Sequence, residues 1–243
     1  MSDLILECDQ GNTRCKWRVC DSSGVVSRGH CGPGQDIRGM TDLGAVARVR
    51  IASVASQALL GQLLDQLRGL NATIELAKPA RQLAGVSNAY GDEFEKLGVD
   101  RWLAVVAAYK KVAGAVLVLD AGSALTADLV DASGAHLGGY IAPGAALMKN
   151  SLLVDTGRVR FEEGYMPARL DFGTSTQVAV DAGVFAAQLG MVQVAIERAR
   201  RRIPSDFAIL VTGGAGKQII SHLGEPSEYV PELVLDGLAW ALP

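Results

Sequence analysis

Apolar positions in this chain fall into short runs that end abruptly and longer stripes at helical spacing. The run LILEC at 4–8 stops at Asp9, turns through Gly-Asn-Thr, and resumes as KWRVC at 16–20. Residues 46–54 and 72–76 form further strand-like runs, with a helical pattern over 57–70 between them. A polar, glycine-rich connector covers 78–97. The segment DRWLAVVAAYKKV after it places apolar residues at 102, 103, 105, 106 and 109, which predicts a helix with one buried face. Later come the segment HLGGYIAPG, helices over 145–156 and 176–202, the strand FAILVTGG and a closing amphipathic helix LVLDGLAWAL.

The opening pattern recurs. LILECDQGNTRCKWRVCDSSG is matched by VLVLDAGSALTADLVDASG at 116–134: an apolar strand, Asp-x-Gly, a second strand, and a turn ending Ser-Gly. Asp9 answers to Asp120, Gly11 to Gly122 and, loosely, Thr13 to Ala124. From the aspartate to the glycine of the turn is 15 residues in the first copy (9 to 24) and 14 in the second (120 to 134). The Asp-Ser-Ser-Gly and Asp-Ala-Ser-Gly turns suit hairpins, with glycine supplying positive φ and aspartate bonding its own backbone. Strands grouped ahead of helices in each half predict two duplicated α/β domains, 1–113 and 114–243, with mixed sheets flanked by helices and a cleft between them.

Composition narrows the function. A net charge of −3 gives no general attraction to a phosphate backbone, so no nucleic-acid partner is expected. No uninterrupted apolar run reaches the ~18–20 residues that cross a bilayer, and the N-terminus lacks a signal-peptide pattern, which predicts a cytoplasmic protein with no membrane partner. Cys8, Cys15, Cys20 and Cys31 have no C-x-x-C spacing and no histidine pair beside them, and read as structural thiols. His30, His136 and His222 have no partner at nucleophile or ligand spacing. The run RARRR at 198–202 ends a helix, where cations suit the dipole.

The chemistry lies where the strands end. There is no Walker A loop: in VTGGAGKQ, Val211 stands where the first glycine is needed and Gln218 replaces Ser or Thr. A strand-final carboxylate can instead hold Mg²⁺ with phosphate oxygens completing its shell. The glycine two residues on lets the chain turn so that backbone amides and the side chains of Asn12 and Thr13 meet phosphate, with Lys16 adding positive charge on the returning strand. A Gly213-Gly214 pair after the strand at 209–211 permits close approach of a flat ligand such as adenine.

These motifs, in this order, resemble the type III pantothenate kinases, a family that also contains Bvg accessory factors and belongs to the sugar kinase, Hsp70 and actin superfamily of duplicated ribonuclease H-like domains. The resemblance covers DQGNTRCKWRV at 9–19, LGVDRWLAVVAAY at 97–109, VLDAGSALTADLVD at 118–131, HLGGYIAPGAALM at 136–148 and VTGG at 211–214. It implies an ATP-dependent phosphorylation of pantothenate, the first step of coenzyme A synthesis, in a homodimer with the active site in the cleft. The family motif D-x-G-N-T-x-x-K, used for ATP phosphates and Mg²⁺, falls on Asp9, Gly11, Asn12, Thr13 and Lys16. The motif G-x-D-R falls on Gly98, Val99, Asp100 and Arg101: Asp100 is implied as proton acceptor and Arg101 as partner of the pantothenate carboxylate. Asp100 also reads as a helix N-cap, and Arg101 as a surface ion-pair residue. In DAGSA, Asp120 matches the residue linked to a monovalent cation, K⁺ or NH₄⁺, and Ser123 replaces a threonine associated with ATP. GTSTQVAVDAG places Thr176 at the substrate. The family's Asn-Pro upstream of L-G-x-D-R is absent, and Tyr90 is the matching aromatic wall of the pantothenate site.

Two other readings remain open on the sequence: a non-catalytic accessory protein of the same fold that binds nucleotide or pantothenate, and a kinase or ATPase of the superfamily acting on another substrate. The presence of Asp9, Lys16, Asp100 and Asp120 together argues against the first, and LGVDRW against the second.

Overall fold

The computed structural model describes residues 4–32, 35–155 and 170–243. The chain divides into two compact units, residues 1–111 with 232–243, and residues 112–231.

The first unit is built on β1 (Leu4–Gln10), β2 (Cys15–Asp21), β3 (Gly24–Cys31), β4 (Val46–Ser53) and β5 (Thr73–Leu76), with α1 (Gln57–Leu67) between β4 and β5. The strand order is β3-β2-β1-β4-β5; β1, β2 and β3 run antiparallel, and β4 and β5 join parallel to β1. Alternation along β1 sends Leu6 and Cys8 into an apolar core with Trp17, Val49, Ile51, Leu63 and Leu67. The opposite face is charged. Glu7 lies opposite Arg18 on β2 and Arg50 on β4, Arg18 opposite Arg28, and Arg50 opposite Glu75, so one charged row crosses all five strands. Glu7 is only 2% exposed and accepts from Arg18 Nε at 2.6 Å and Arg50 Nη1 at 3.0 Å.

A short hairpin, β6 (Gln82–Leu83) and β7 (Val86–Ser87), turns through Ala84 and Gly85, both with positive φ, the geometry that matches strand twist in a two-residue loop. Helix α2 (Val99–Val112) follows. The periodicity predicts a single buried face, but Val99 and every residue from Arg101 to Ala108 are buried, as befits a helix enclosed on all sides.

The second unit opens with β8 (Val116–Ala121), β9 (Ala124–Val130) and β10 (His136–Pro143), followed by α3 (Ala145–Asp155) and α4 (Thr176–Arg202). It ends with β11 (Ala208–Thr212), α5 (Gly216–Leu223) and β12 (Glu228–Tyr229). The order β10-β9-β8-β11-β12 repeats that of the first sheet, with the same antiparallel and parallel pairings, so the duplication predicted from the Asp-x-Gly repeat is present in the topology. Its core joins Leu117, Leu119 and Leu125 to Phe185, Leu189 and Ile196 of α4, and to Val211 and Ile219. The predicted helix end at Thr156 lies outside the described residues.

By length and mean composition α4 is apolar enough to cross a membrane, although Asp181, Gln188 and other polar residues interrupt its apolar run. Half of its apolar window is buried in the unit, and Asp181 and Gln188 are among the buried residues, which is the behaviour of a core helix.

The last helix, α6 (Leu233–Ala241), belongs to the first unit, whereas the sequence leaves 232–243 with the second half. Arg18 Nη1 binds Asp236 at 2.6 Å and Glu232 at 3.2 Å, and Arg28 binds Glu232 at 2.9 Å. Burial alone would lower the pKa of Arg18, but the hydrogen bonds to Asp236 and Glu7 outweigh it and the net shift is upward. Gly237 lets α6 cross α2 closely, since a Cβ there would lie 2.4 Å from the Leu103 carbonyl oxygen.

Glu7→Gln leaves two buried guanidinium groups without their shared carboxylate. Removing one partner of a buried ion pair costs about 3–5 kcal/mol, and urea denaturation should show a loss of that size. A loss under 1 kcal/mol would mean that the charged row contributes little.

Candidate active site

The two Asp-x-Gly tips occupy equivalent places: Asp9 and Asp120 are each the penultimate residue of the first strand in their sheet. Asp9 lies directly opposite Lys16, so the carboxylate and the ammonium share one face of the hairpin. Asp120 lies opposite Thr126 on one side and Thr212 on the other. The partner of Asp9 is seven residues away and that of Asp120 six (16 − 9; 126 − 120), so the extra residue of the first copy sits in its tip.

That longer tip is closed by Gly11 N–H donating to Arg14 O at 3.1 Å. Neither Gly11 nor Gly122 needs positive φ. Gly11 would tolerate a Cβ, at 3.4 Å from Arg14 O. Asn12 and Thr13 are exposed at the apex. The Asn12 amide is engaged in the fold: Nδ2 donates to Val54 O at 3.3 Å, and Oδ1 accepts from Ser56 N–H at 3.0 Å. Ser56 in turn caps α1, so Asn12 braces the tip against the start of that helix.

Beneath the tip, Cys8, Cys15 and Cys31 are buried free thiols. A hydrogen bond with Cys8 and burial hold the Cys15 thiol far above its usual range, and burial together with Cys15 pushes Cys31 up to about 11. Such thiols stay protonated and unreactive, as the sequence expects.

A second group of site residues gathers before α2. Asn88 organises the loop: its Oδ1 accepts from Tyr90 N–H at 2.9 Å, and its Nδ2 reaches the carbonyls of Ala80 and Phe94. Tyr90, 37% exposed, receives Arg101 Nη1 on its hydroxyl at 3.2 Å. The sequence places Asp100 as N-cap; instead, the Gly98 carbonyl accepts the first helical bond, from Trp102, and Asp100 stands inside the first turn. There its carboxylate accepts from Arg101 N–H at 2.7 Å and gains from the helix dipole. Gly98 makes room for it, because a Cβ would lie 2.6 Å from Asp100 Oδ1. Gly98, Val99, Asp100, Arg101 and Tyr90 therefore form one cluster, with Val99 buried and the Asp100 carboxylate partly accessible. A groove lined by Arg81, Gln82, Ser87, Asn88 and Phe94 runs along the same loop.

In the second unit, glycines let three loops close on Asp120. Gly213 has φ +86°, and a Cβ on it would meet Ala121 C at 2.4 Å and Asp120 Oδ1 at 2.5 Å. A Cβ on Gly122 would lie 3.2 Å from Asp120 Oδ1, and one on Gly144 would lie 2.5 Å from the Gly122 and Ser123 carbonyls. Ser123 is exposed at the tip, where its carbonyl accepts from Gly144 N–H at 2.9 Å. Gly214 is exposed in the next loop. Thr176 opens α4 behind its N-cap Ser175 and is exposed.

The sequence did not single out the buried pair of Lys149 with Asp181, to which Gln177 Nε2 donates at 2.6 Å, joining α3 to α4. The His136–Asp128 contact, 2.9 Å in the β9–β10 interior, was equally unsignalled. Among the described residues no group of three or more His, Cys, Asp or Glu forms a metal cage. One carboxylate at each tip fits an ion whose other ligands are water and phosphate oxygens.

Two five-stranded sheets of the same strand order, each with a carboxylate at the end of its first strand, define a duplicated α/β fold. Solved structures agree on the fold: a Baf family protein of Campylobacter jejuni (23% identity, 96% of this chain and 95% of that one, TM-score 0.59) and a 2-dehydro-3-deoxygalactonokinase-type protein of Sinorhizobium meliloti (12%, 98% and 97%, TM-score 0.57). The family model for type III pantothenate kinase matches residues 5–198. The type III pantothenate kinases of Pseudomonas fluorescens and Pseudomonas syringae pv. syringae are 38% and 40% identical, over 99% of this chain and of each relative. The chain belongs to the type III pantothenate kinase family.

Gly213→Ala puts a methyl against the Ala121 carbonyl and the Asp120 carboxylate at a positive φ. Titration with Mg·ATP should show at least a tenfold loss of affinity, whereas Gly11→Ala should lie within threefold of wild type. Equal losses would disconnect the Gly213 contact from nucleotide binding.

Proposed function

We propose that this chain transfers the γ-phosphoryl group of ATP to the primary hydroxyl of pantothenate, giving phosphopantothenate, ADP and a proton. The observation that carries the reading is the end-to-end family match together with the Asp100–Arg101–Tyr90 cluster at the start of α2. Phosphoryl transfer needs positioning and charge stabilisation more than covalent chemistry.

In this reading Asp100 accepts the hydroxyl proton as the oxygen attacks phosphorus. The Arg101 guanidinium, held by the Tyr90 hydroxyl, binds the pantothenate carboxylate with its planar fork. Lys16, Thr13 and the backbone of the first tip hold phosphate oxygens, with Asn12 keeping the tip in place. The tip of the second unit, through Ser123 and the Gly213-Gly214 loop, receives the rest of the nucleotide, and Thr176 contacts substrate. Asp9 would hold Mg²⁺, and Asp120 a monovalent cation, K⁺ or NH₄⁺; when bound, these ions neutralise charge on the phosphate oxygens. Asp9 and Asp120 suit such ions because each is a half-buried carboxylate at a strand end.

The protein works as a homodimer. Support comes from the edge strand β10 and from α3, which expose Tyr140, Ile141, Leu147 and Leu152, with Ile141 64% accessible. Apolar side chains exposed along an edge strand and the helix after it suit an interaction surface, and a second copy is its occupant. ATP as substrate and free, protonated thiols fit a cytoplasmic setting.

The functional test compares wild type with Asp100→Asn in potassium and in sodium buffer, reading phosphopantothenate by mass spectrometry. Loss of a general base costs about 10²–10⁴-fold in kcat, and Asp100→Asn should fall in that range with its affinity for ATP unchanged. Turnover in sodium should fall below that in potassium. An active Asp100→Asn would remove the assigned base, and equal rates in the two salts would remove the cation role of Asp120. Light scattering should give a dimer that Ile141→Asp converts to monomer; a monomeric wild type would contradict the assembly.

A further inference from the structure

The chain ends its second sheet with a strand of only two residues, Glu228–Tyr229, paired parallel to β11 with Val211 opposite Tyr229. Its backbone is anchored by Val230 N–H donating to Val211 O at 2.8 Å. So short a strand adds little to the sheet, yet it carries an aromatic side chain that touches the glycine loop at three places. The Tyr229 hydroxyl donates to Gly213 O at 3.0 Å. The ring packs against Gly216, where a Cβ would lie 2.8 Å from Tyr229 Cε2. The Lys217 ammonium stands 5.4 Å from the ring centroid, a cation–π distance.

These contacts fix the orientation of one peptide. In a trans peptide the carbonyl and the following N–H point to opposite sides. With the Gly213 carbonyl turned to Tyr229, the N–H of Gly214 faces the other way, on the exposed side of the loop. The same carbonyl also accepts from Gly216 N–H at 3.1 Å, so both of its lone pairs are engaged and the peptide is held against rotation. Gly213 itself sits at positive φ against Asp120. The loop is therefore clamped on one side by the Asp120 strand end and on the other by Tyr229.

We propose that Tyr229 is a positioning residue for nucleotide: it sets the Gly213–Gly214 peptide so that an N–H faces an adenine nucleotide, and it holds Lys217 beside that loop. The inference rests on the reading of this loop as a nucleotide site. Tyr229 acts through the loop and touches no reacting atom.

The test measures binding of Mg²⁺ with a non-hydrolysable ATP analogue by calorimetry to wild type, Tyr229→Phe and Tyr229→Leu, alongside steady-state kinetics and thermal melting. Tyr229→Phe keeps the ring and loses the hydrogen bond; its Kd for the analogue and its KM for ATP should rise about five- to tenfold. The pantothenate KM and kcat should stay within twofold, with the melting temperature within about 2 °C. Tyr229→Leu, which also loses the ring beneath Gly216 and Lys217, should weaken the analogue further. Unchanged analogue affinity in folded Tyr229→Phe overturns the proposal, as does a fall in kcat and melting temperature with KM for ATP unmoved, the mark of a merely structural residue. A wild type that binds no nucleotide overturns it as well. A wild type that binds nucleotide tightly through Tyr229 yet forms no phosphopantothenate supports this inference and contradicts the pantothenate kinase reading instead.

Discussion

Glu7 is held between two arginines, Arg18 on one neighbouring strand and Arg50 on the other, in a sheet position with almost no water. A one-residue slip of either pairing would send Glu7 to the apolar face and its partners elsewhere, so this carboxylate defines the register of β1. Register is what the site needs, because Asp9 lies two residues further along the same face, opposite Lys16. The same arginine that fixes the strand also binds Asp236 and so brings α6 onto this sheet. The placement of Asp9, the docking of the C-terminal helix and the crossing of α2 at Gly237 all follow from one charged row centred on buried Glu7.

The second unit reaches the same geometry by other means. Its first strand is apolar up to Asp120, and close contacts at Gly213, Gly122 and Gly144 pack the tip around that residue. The contrast suits the two roles. On the proposed function, a tip with an extra residue, a lysine opposite its aspartate and a braced Asn12 would meet highly charged phosphates and Mg²⁺. On the same proposal, a compact tip surrounded by glycine would allow close approach of the less charged part of a nucleotide. Duplication supplied two similar scaffolds, and the chemistry diverged at the tips.

Much of this was legible in the chain. The repeated Asp-x-Gly, with its two Ser-Gly turns, located both hairpins and the topology shared by the sheets. Helical spacing gave α2 and placed α4 at Thr176–Arg202 to the residue. The misses have physical causes. Strands β6, β7 and β12 have two residues each, too few to show a period. The tight turn before α5 hid its start among glycines. The burial of α2 on all sides depends on tertiary packing and leaves no mark on its own periodicity.

The charged row was present as a signal that periodicity discards: Glu7, Arg18 and Arg50 each interrupt an apolar run, and a charge in the middle of a buried strand implies a partner. Lys149 and Asp181 were missed for the same reason. Tyr229 and the Asn12 brace depend on contacts between segments far apart in sequence, which no local motif encodes.

As a pantothenate kinase, this fold passes phosphate from ATP to pantothenate rather than to water. The most direct measurement is ³¹P NMR of purified wild-type protein with ATP, Mg²⁺, K⁺ and pantothenate, followed in time. A phosphomonoester resonance growing in step with ADP, and absent without pantothenate, is the predicted result. ADP accompanied only by inorganic phosphate, or ATP left unchanged by folded protein, would contradict the account.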